Sequence, residues 1–211
     1  MKSRNIKIIA IFLILLVGAT VSASNIDTLD LFKKDLNEVG LEIRNIKDDE
    51  TNKKTVMEVG DTKISLQNFK TVGAMLKTDD ENKINDYIVE RVLIRKIAKE
   101  RGITTTDKEI KKYIQELREF INSNEEARKK FNVYLSNLGY SEEEFWSSES
   151  TFEQYKNMLI EGKYRGLLRE KYMSKYNDKA VNEIEKLVTE EVKKSIEVEK
   201  GKVQIRKHSN K

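Results

Sequence analysis

Apolar residues along most of this chain return at intervals of three and four, the spacing that places them on one face of an α-helix. Ile110, Tyr113, Ile114, Leu117 and Ile121 form one such stripe, and Ala127, Phe131, Tyr134, Leu135 and Leu138 form a second. Between residues 79 and 101 the pattern changes, because Tyr87-Ile88-Val89, Val92-Leu93-Ile94 and Ile97-Ala98 cover more than half of a helix circumference. A helix apolar on so many sides is predicted to be central, with the others packed around it. A longer helical stretch follows through Phe145, Phe152, Tyr155, Leu159, Leu167, Leu168 and Tyr172, and a last helix carries Val181, Ile184, Leu187, Val188, Val192 and Ile196. Two segments alternate with period two instead. Val56 to Val59, the Gly60-Asp61 turn and Thr62 to Ile64 read as a hairpin, and Ile196 to Ile205 reads as a hairpin or strand able to join it. The pattern thus predicts a mainly α, multi-helix body with a small β-sheet built from short N- and C-terminal strands.

Helix ends carry their own signals. Ser65 can cap a helix beginning at Leu66, Asp79-Asp80 opens the central helix, and Gly102 supplies a left-handed stop after Arg101. Thr106-x-x-Glu109, Ser123-x-x-Glu126 and Ser141-x-x-Glu144 each read as a capping box, and Gly139 ends the helix between the last two. In such a box the hydroxyl and the carboxylate together satisfy two backbone N–H groups that a helix start leaves unpaired.

The first residues differ in kind. Lys2, Arg4 and Lys7 precede an uncharged run from Ile8 to Ala23 that ends in Gly18-Ala19-Thr20-Val21-Ser22-Ala23. This is the order of a secretory signal, with Val21 and Ala23 before the cleavage point; left uncleaved, residues 8–23 would anchor the chain in a membrane. Residues 1–23 are therefore read as signal peptide or membrane anchor, 24–55 as a polar, partly ordered segment, and 56–211 as the helical domain. Localisation is expected to be secreted or at the cell surface, outside the cytoplasm. The net charge of +4 is mostly that of the leader, since removing its three cations leaves +1. The remaining basic clusters alternate with acids as on solvated helix faces, so nucleic acid is not expected as a partner.

Composition removes further classes. The chain of 211 residues has no cysteine and no proline, and its single histidine, His208, lies near the end. No disulfide, thiolate metal site, cysteine nucleophile or histidine triad can be assembled, and neither metal nor cofactor is expected. Adjacent acids such as Glu142-Glu143-Glu144 and Glu190-Glu191 read as helix-terminal charge and solvated face rather than as catalytic pairs. Gly162-x-x-x-Gly166 encloses Lys163 and Arg165, which argues against a membrane dimer motif and for a packing notch or kink, with Tyr164 half-buried.

Three pieces, in order, carry a resemblance: Val59-Gly60-Asp61-Thr62-Lys63-Ile64-Ser65; Tyr87 to Arg101 leading into Gly102-Ile103-Thr104-Thr105-Thr106-Asp107-Lys108-Glu109-Ile110; and Leu138-Gly139-Tyr140-Ser141-Glu142-Glu143-Glu144-Phe145. Together they resemble the SurA-like and PrsA-like N-terminal chaperone domain of extracytoplasmic foldases, over residues 55 to 170. Gly60-Asp61 departs from the Asn-Gly order usual at the family's turn. The resemblance implies a chaperone module. Relatives that isomerise prolyl bonds carry a separate parvulin domain, for which neither the space nor the histidine pair is present, so no enzyme activity is expected.

The aromatic residues between 120 and 155 hold the functional promise. Core filling should claim Phe131, Tyr134 and Phe145. Phe145 and Trp146 are neighbours about 100° apart on a helix, which predicts that one of them is exposed; the place of Phe145 after the Ser141 capping box, matching the family's phenylalanine, implies that Phe145 is inward and Trp146 exposed. Phe120, Tyr134, Tyr140, Trp146, Phe152 and Tyr155 are the candidate peptide-binding residues, because broad apolar surface binds sequence-tolerantly. The expected function is that of an exported holdase-type chaperone whose partners are unfolded or exported polypeptides held in an apolar groove. The alternative is a structural or assembly protein of the cell surface with one specific partner or a homodimer.

Overall fold

The computed structural model describes residues 36 to 208; the leader read at residues 1–23 and the first part of the segment read at 24–55 lie outside the described residues. In chain order the elements are α1 (Leu36–Asp48), a 3-10 turn (Glu50–Lys53), β1 (Thr55–Val59), β2 (Thr62–Ser65), α2 (Leu66–Leu76), α3 (Glu81–Glu100) and α4 (Asp107–Ser123). They continue with α5 (Glu125–Leu138), α6 (Glu142–Ser147), α7 (Glu149–Lys175), α8 (Val181–Lys200) and β3 (Ile205–Lys207). The fold is mainly α with one small antiparallel sheet. No described helix is long and apolar enough to cross a membrane. The chain divides into two compact units, one of Met1–Glu50 with Thr105–Met158 and one of Thr51–Thr104 with Leu159–Lys211.

The second unit holds the sheet and the central helix. Its strands lie in the order β2-β1-β3, both pairings antiparallel. The tail therefore does join the N-terminal hairpin, but through Ile205–Lys207 alone. Residues 196 to 200, which also fit a period of two, continue α8 instead. Val188, Val192 and Ile196 are already buried on its inner face, and the next inner position, Glu199, is buried with them. Helical spacing wins because it extends an existing packed stripe, while Val198 is left exposed.

α3 is surrounded as its apolar circumference predicts. Ile84, Ile88, Val92, Leu93, Ile94 and Ala98 are buried in one cluster with Met57 and Val59 of β1, Leu168 of α7, and Ile184, Val188 and Val192 of α8. Its ends are those the sequence marks. Asp80 accepts from the N–H groups of Asn82 at 3.0 Å and Lys83 at 3.4 Å. At the other end Gly102 takes φ +72°, and the N–H of Ile103 returns to the carbonyl of Ala98 at 3.0 Å. A short network of charge is folded into this unit as well. Glu161 on α7 pairs with Arg91 and, at 3.1 Å, with Arg95 of α3, and Glu199 on α8 pairs with Lys96 at 2.5 Å and Lys202 at 3.1 Å.

In the first unit α1 packs along α5. Contact is close because position 40 is glycine: a Cβ there would stand 2.9 Å from the Cβ of Asn137 and 3.5 Å from the carbonyl of Tyr134. Thr106 and Ser141 form the expected capping boxes, their hydroxyls accepting from the N–H groups of Glu109 and Glu144, both at 3.2 Å. The box read at Ser123 is displaced by one residue. Asn124 caps α5 by accepting from the N–H of Ala127 at 3.0 Å, while Ser123 stays in the last turn of α4 and donates to the carbonyl of Phe120 at 2.9 Å. Asparagine caps as well as serine, and the shift gives α4 one more residue. Glu126, freed from the box, pairs with Lys130 at 2.6 Å.

Candidate functional site

The aromatic residues singled out from the sequence belong to the first unit, and half of them are core. Ser141 starts α6 so that Phe145 and Trp146 follow within its six residues, and both are buried, Trp146 to 8% exposure. The expectation of an exposed Trp146 is thereby corrected. Adjacent side chains do diverge, but each finds a neighbour: Phe131 of α5 meets Phe145 edge-on at 5.4 Å and also meets Trp146 at 5.4 Å. Trp146 also stacks on Tyr155 of α7 at 6.4 Å, with the Arg118 guanidinium 5.8 Å from its ring. The indole N–H donates to the Glu142 carboxylate at 3.2 Å, so the polar edge of the ring is met too.

Tyr134 and Tyr155 are buried as deeply. Burial pushes both phenols well above the ordinary tyrosine range, and it pushes Tyr113, whose ring lies 5.8 Å from that of Tyr155, up to about 12, with Glu116 adding to the shift. These hydroxyls stay protonated at any physiological pH, and the Tyr155 hydroxyl is buried without a hydrogen-bond partner. Phe120, Tyr140 and Phe152 are half-buried and keep part of their rings open. Tyr140 lies under the Lys47 ammonium, 4.0 Å from the ring centre, and its hydroxyl accepts from it.

A second apolar surface, which the sequence reading did not single out, lies in the second unit where α7 ends and α8 begins. Arg169, Met173, Tyr176, Asn177, Val181 and Ile184 line an open groove of about 80 Å³. Its apolar edges face solvent, for Met173 is 52% and Val181 66% exposed, and Leu167 on the same helix is 53% exposed. The helix turn makes this possible. Ala180 has no side chain able to cap α8; Glu183 reaches back to its N–H at 3.2 Å, and Val181 is left at the open first turn. Around the groove Tyr172 and Tyr176 stack at 6.3 Å, with the ammonium groups of Lys171, Lys175 and Lys179 between 5.1 and 5.5 Å from their rings. Apolar Met173, Val181 and Ile184 are thus ringed by charge of both signs, since Arg169, Lys171 and Lys179 pair with Glu185, Glu191 and Glu183.

A signal for this surface was present in the sequence. Leu167-Leu168 and Tyr172-Met173 are adjacent apolar pairs like Phe145-Trp146, but here Leu168 alone is buried, Tyr172 is half-buried, and Leu167 and Met173 are exposed. The Gly162 and Gly166 positions correct another expectation. A Cβ at either would meet nothing within 4 Å, so they form no packing notch, and Tyr164 between them is buried rather than half-buried, its hydroxyl 3.1 Å from that of Ser195. Among the described residues there is no group of three or more histidine or acidic side chains placed to hold a metal.

The arrangement offers apolar and aromatic contact surface. Compared with known families, the chain is matched from residue 3 to residue 161 by the family described as the SurA-like N-terminal domain, a chaperone-related family. No curated protein and no solved structure matches it. The matched span takes in the hairpin, the central helix and both confirmed capping boxes, and on it the chain belongs to the SurA-like N-terminal domain family.

Proposed function

We propose that this protein is an exported holdase-type chaperone that captures unfolded polypeptide segments on apolar surface and has no prolyl isomerase activity of its own. Family membership supports the chaperone class. The observation that carries the binding reading is the groove at the α7–α8 turn, where Met173 and Val181 stand more than half exposed beside Tyr176. Methionine and isolated aliphatic side chains adapt to many partners, and an open groove imposes little sequence preference. This groove lies beyond the span matched by the family, so it would be this chain's own binding surface. Phe120, Tyr140 and Phe152 are the remaining contact residues of the first unit in this reading; Tyr134, Trp146 and Tyr155 serve it only by holding the core.

The reading places residues 1–23 as the leader and the body outside the cytoplasm. Two experiments test it. A peptide array probed with the purified protein should show many weak, apolar hits of unrelated sequence; a single tight hit would favour a dedicated assembly partner instead. N-terminal sequencing of the exported protein should begin at Ser24, and an intact Met1 would make the segment an anchor.

A further inference from the structure

The sheet has an edge whose chemistry selects a partner. β3 pairs with β1 in the register Met57↔Lys207, Glu58↔Arg206 and Val59↔Ile205. The N–H of Gly60 donates to the carbonyl of Gln204 at 2.9 Å, and the N–H of His208 donates to the carbonyl of Val56 at 2.8 Å. In an antiparallel pair, hydrogen-bonded and non-hydrogen-bonded positions alternate. Residues 204, 206 and 208 therefore direct their backbone groups to β1, and Ile205 and Lys207 direct theirs away from it. Among the described residues no strand pairs with that outer edge, and all three β3 residues are exposed.

We propose that the outer edge of β3 accepts an extended, acidic polypeptide segment as a fourth strand, held by the backbone groups of Ile205 and Lys207. Charge decides the occupant. A second copy of this chain, overlapped on all three residues, would place Arg206 opposite Arg206, and directly opposed like charges destabilise a strand pair. An added strand with acids opposite Arg206 and Lys207 and an apolar residue opposite Ile205 meets each neighbour favourably. Arg206 donates to the side-chain oxygen of Gln204 at 2.7 Å and meets Glu58 at 3.7 Å, yet its side chain remains 59% exposed. With two residues offering their outer backbone groups, the contact is short and readily reversible. It is separate from the α7–α8 groove and does not depend on it.

The test uses two fluorescent peptides, one repeating valine-glutamate-glutamate, which can set two adjacent acids opposite Arg206 and Lys207 with valine opposite Ile205, and one repeating valine-lysine-lysine, titrated into the purified protein. The acidic peptide should bind at least about tenfold more tightly than the basic one, and its affinity should fall with salt. Two variants separate backbone from charge. Lys207→Gln removes only the charge and should weaken the acidic peptide about threefold. Lys207→Pro also removes the outward N–H while leaving the bonds to β1 intact, and should weaken it by at least a further tenfold. Lys207→Glu, which needs no proline to fold, should shift the preference toward the basic peptide. Equal affinity for Lys207→Pro and Lys207→Gln at equal melting temperature, or an unchanged preference in Lys207→Glu, overturns the proposal. Concentration-dependent dimerisation that Lys207→Pro abolishes would overturn it in favour of a second copy.

Discussion

Phe145-Trp146 in the first unit and Leu167-Leu168 in the second pose the same geometric question and receive opposite answers. In both, neighbouring large apolar residues on a helix point about 100° apart. Phe145 and Trp146 are both buried, whereas Leu168 is 4% and Leu167 53% exposed. The angle is equal; what differs is what stands on each side. α6 is six residues long, and its two rings are met by Phe131, Tyr155 and Arg118 from three other helices. The C-terminal half of α7 buries Tyr164 and Leu168, and its far side, with Leu167 and Met173, is left to solvent. Helical periodicity gives the direction of a side chain, and only the number of neighbouring elements says whether that direction is inside.

The comparison is broken most directly by truncation. Trp146→Ala should cost about 3 to 5 kcal/mol, as for a core aromatic, whereas Leu167→Ala should stay within about 0.5 kcal/mol. Urea melts of the two variants check this, and a small loss for Trp146→Ala would return that ring to the surface. Gly40→Ala should follow at roughly 1 to 3 kcal/mol, because its methyl group must displace the backbone-proximal Cβ of Asn137. A thermal melt showing no loss would mean that α1 and α5 are less closely packed than described.

Glycines on the solvent side of α7 should respond in the opposite direction. Gly162→Ala and Gly166→Ala meet no atom within 4 Å, so each should gain about 0.5 to 1 kcal/mol of stability, the helix-interior cost of glycine. Destabilisation in the same melts would reveal a close approach at this face. The smallest effect is expected from acid. Lys96 first and then Lys202 hold the Glu199 carboxylate below the ordinary range. A depressed folded-state pKa contributes stability that is complete above the unfolded value, near about 4.3, and disappears as pH falls through the folded value. Glu199→Gln should thus lower stability at neutral pH and flatten the acid limb of urea midpoints below about pH 5; a parallel limb would show that the pair contributes nothing.

What was legible in the sequence is what is local. Asp80, Thr106, Ser141, Gly102 and Gly139 act within one turn of themselves, so their spacing suffices, and the over-wide apolar face of α3 announces its central place. Failures occur where two local solutions are nearly equal or where the deciding partner is distant. Ser123 and Asn124 are both good caps, and Ile196 to Lys200 fit periods of two and of 3.6 alike. Glu161 meets Arg91 and Arg95 across some seventy positions of chain, and nothing in the pattern of 36 acidic and 40 basic residues marks it out. The candidate site divides the same way: the aromatic cluster was visible as composition, but whether a ring packs or faces solvent depends on α5 and α7 arriving beside α6.

The claim that exposed apolar surface at the α7–α8 turn holds unfolded chains is tested most directly by light scattering of two unrelated denatured clients during refolding. The purified protein should suppress aggregation of both, and the double variant Met173→Ser, Val181→Ser, at unchanged melting temperature, should need several-fold more protein for the same effect, as expected when two exposed apolar contacts are lost. Equal suppression by the double variant would remove the groove from the site, and no suppression by the unaltered protein would contradict the chaperone reading itself.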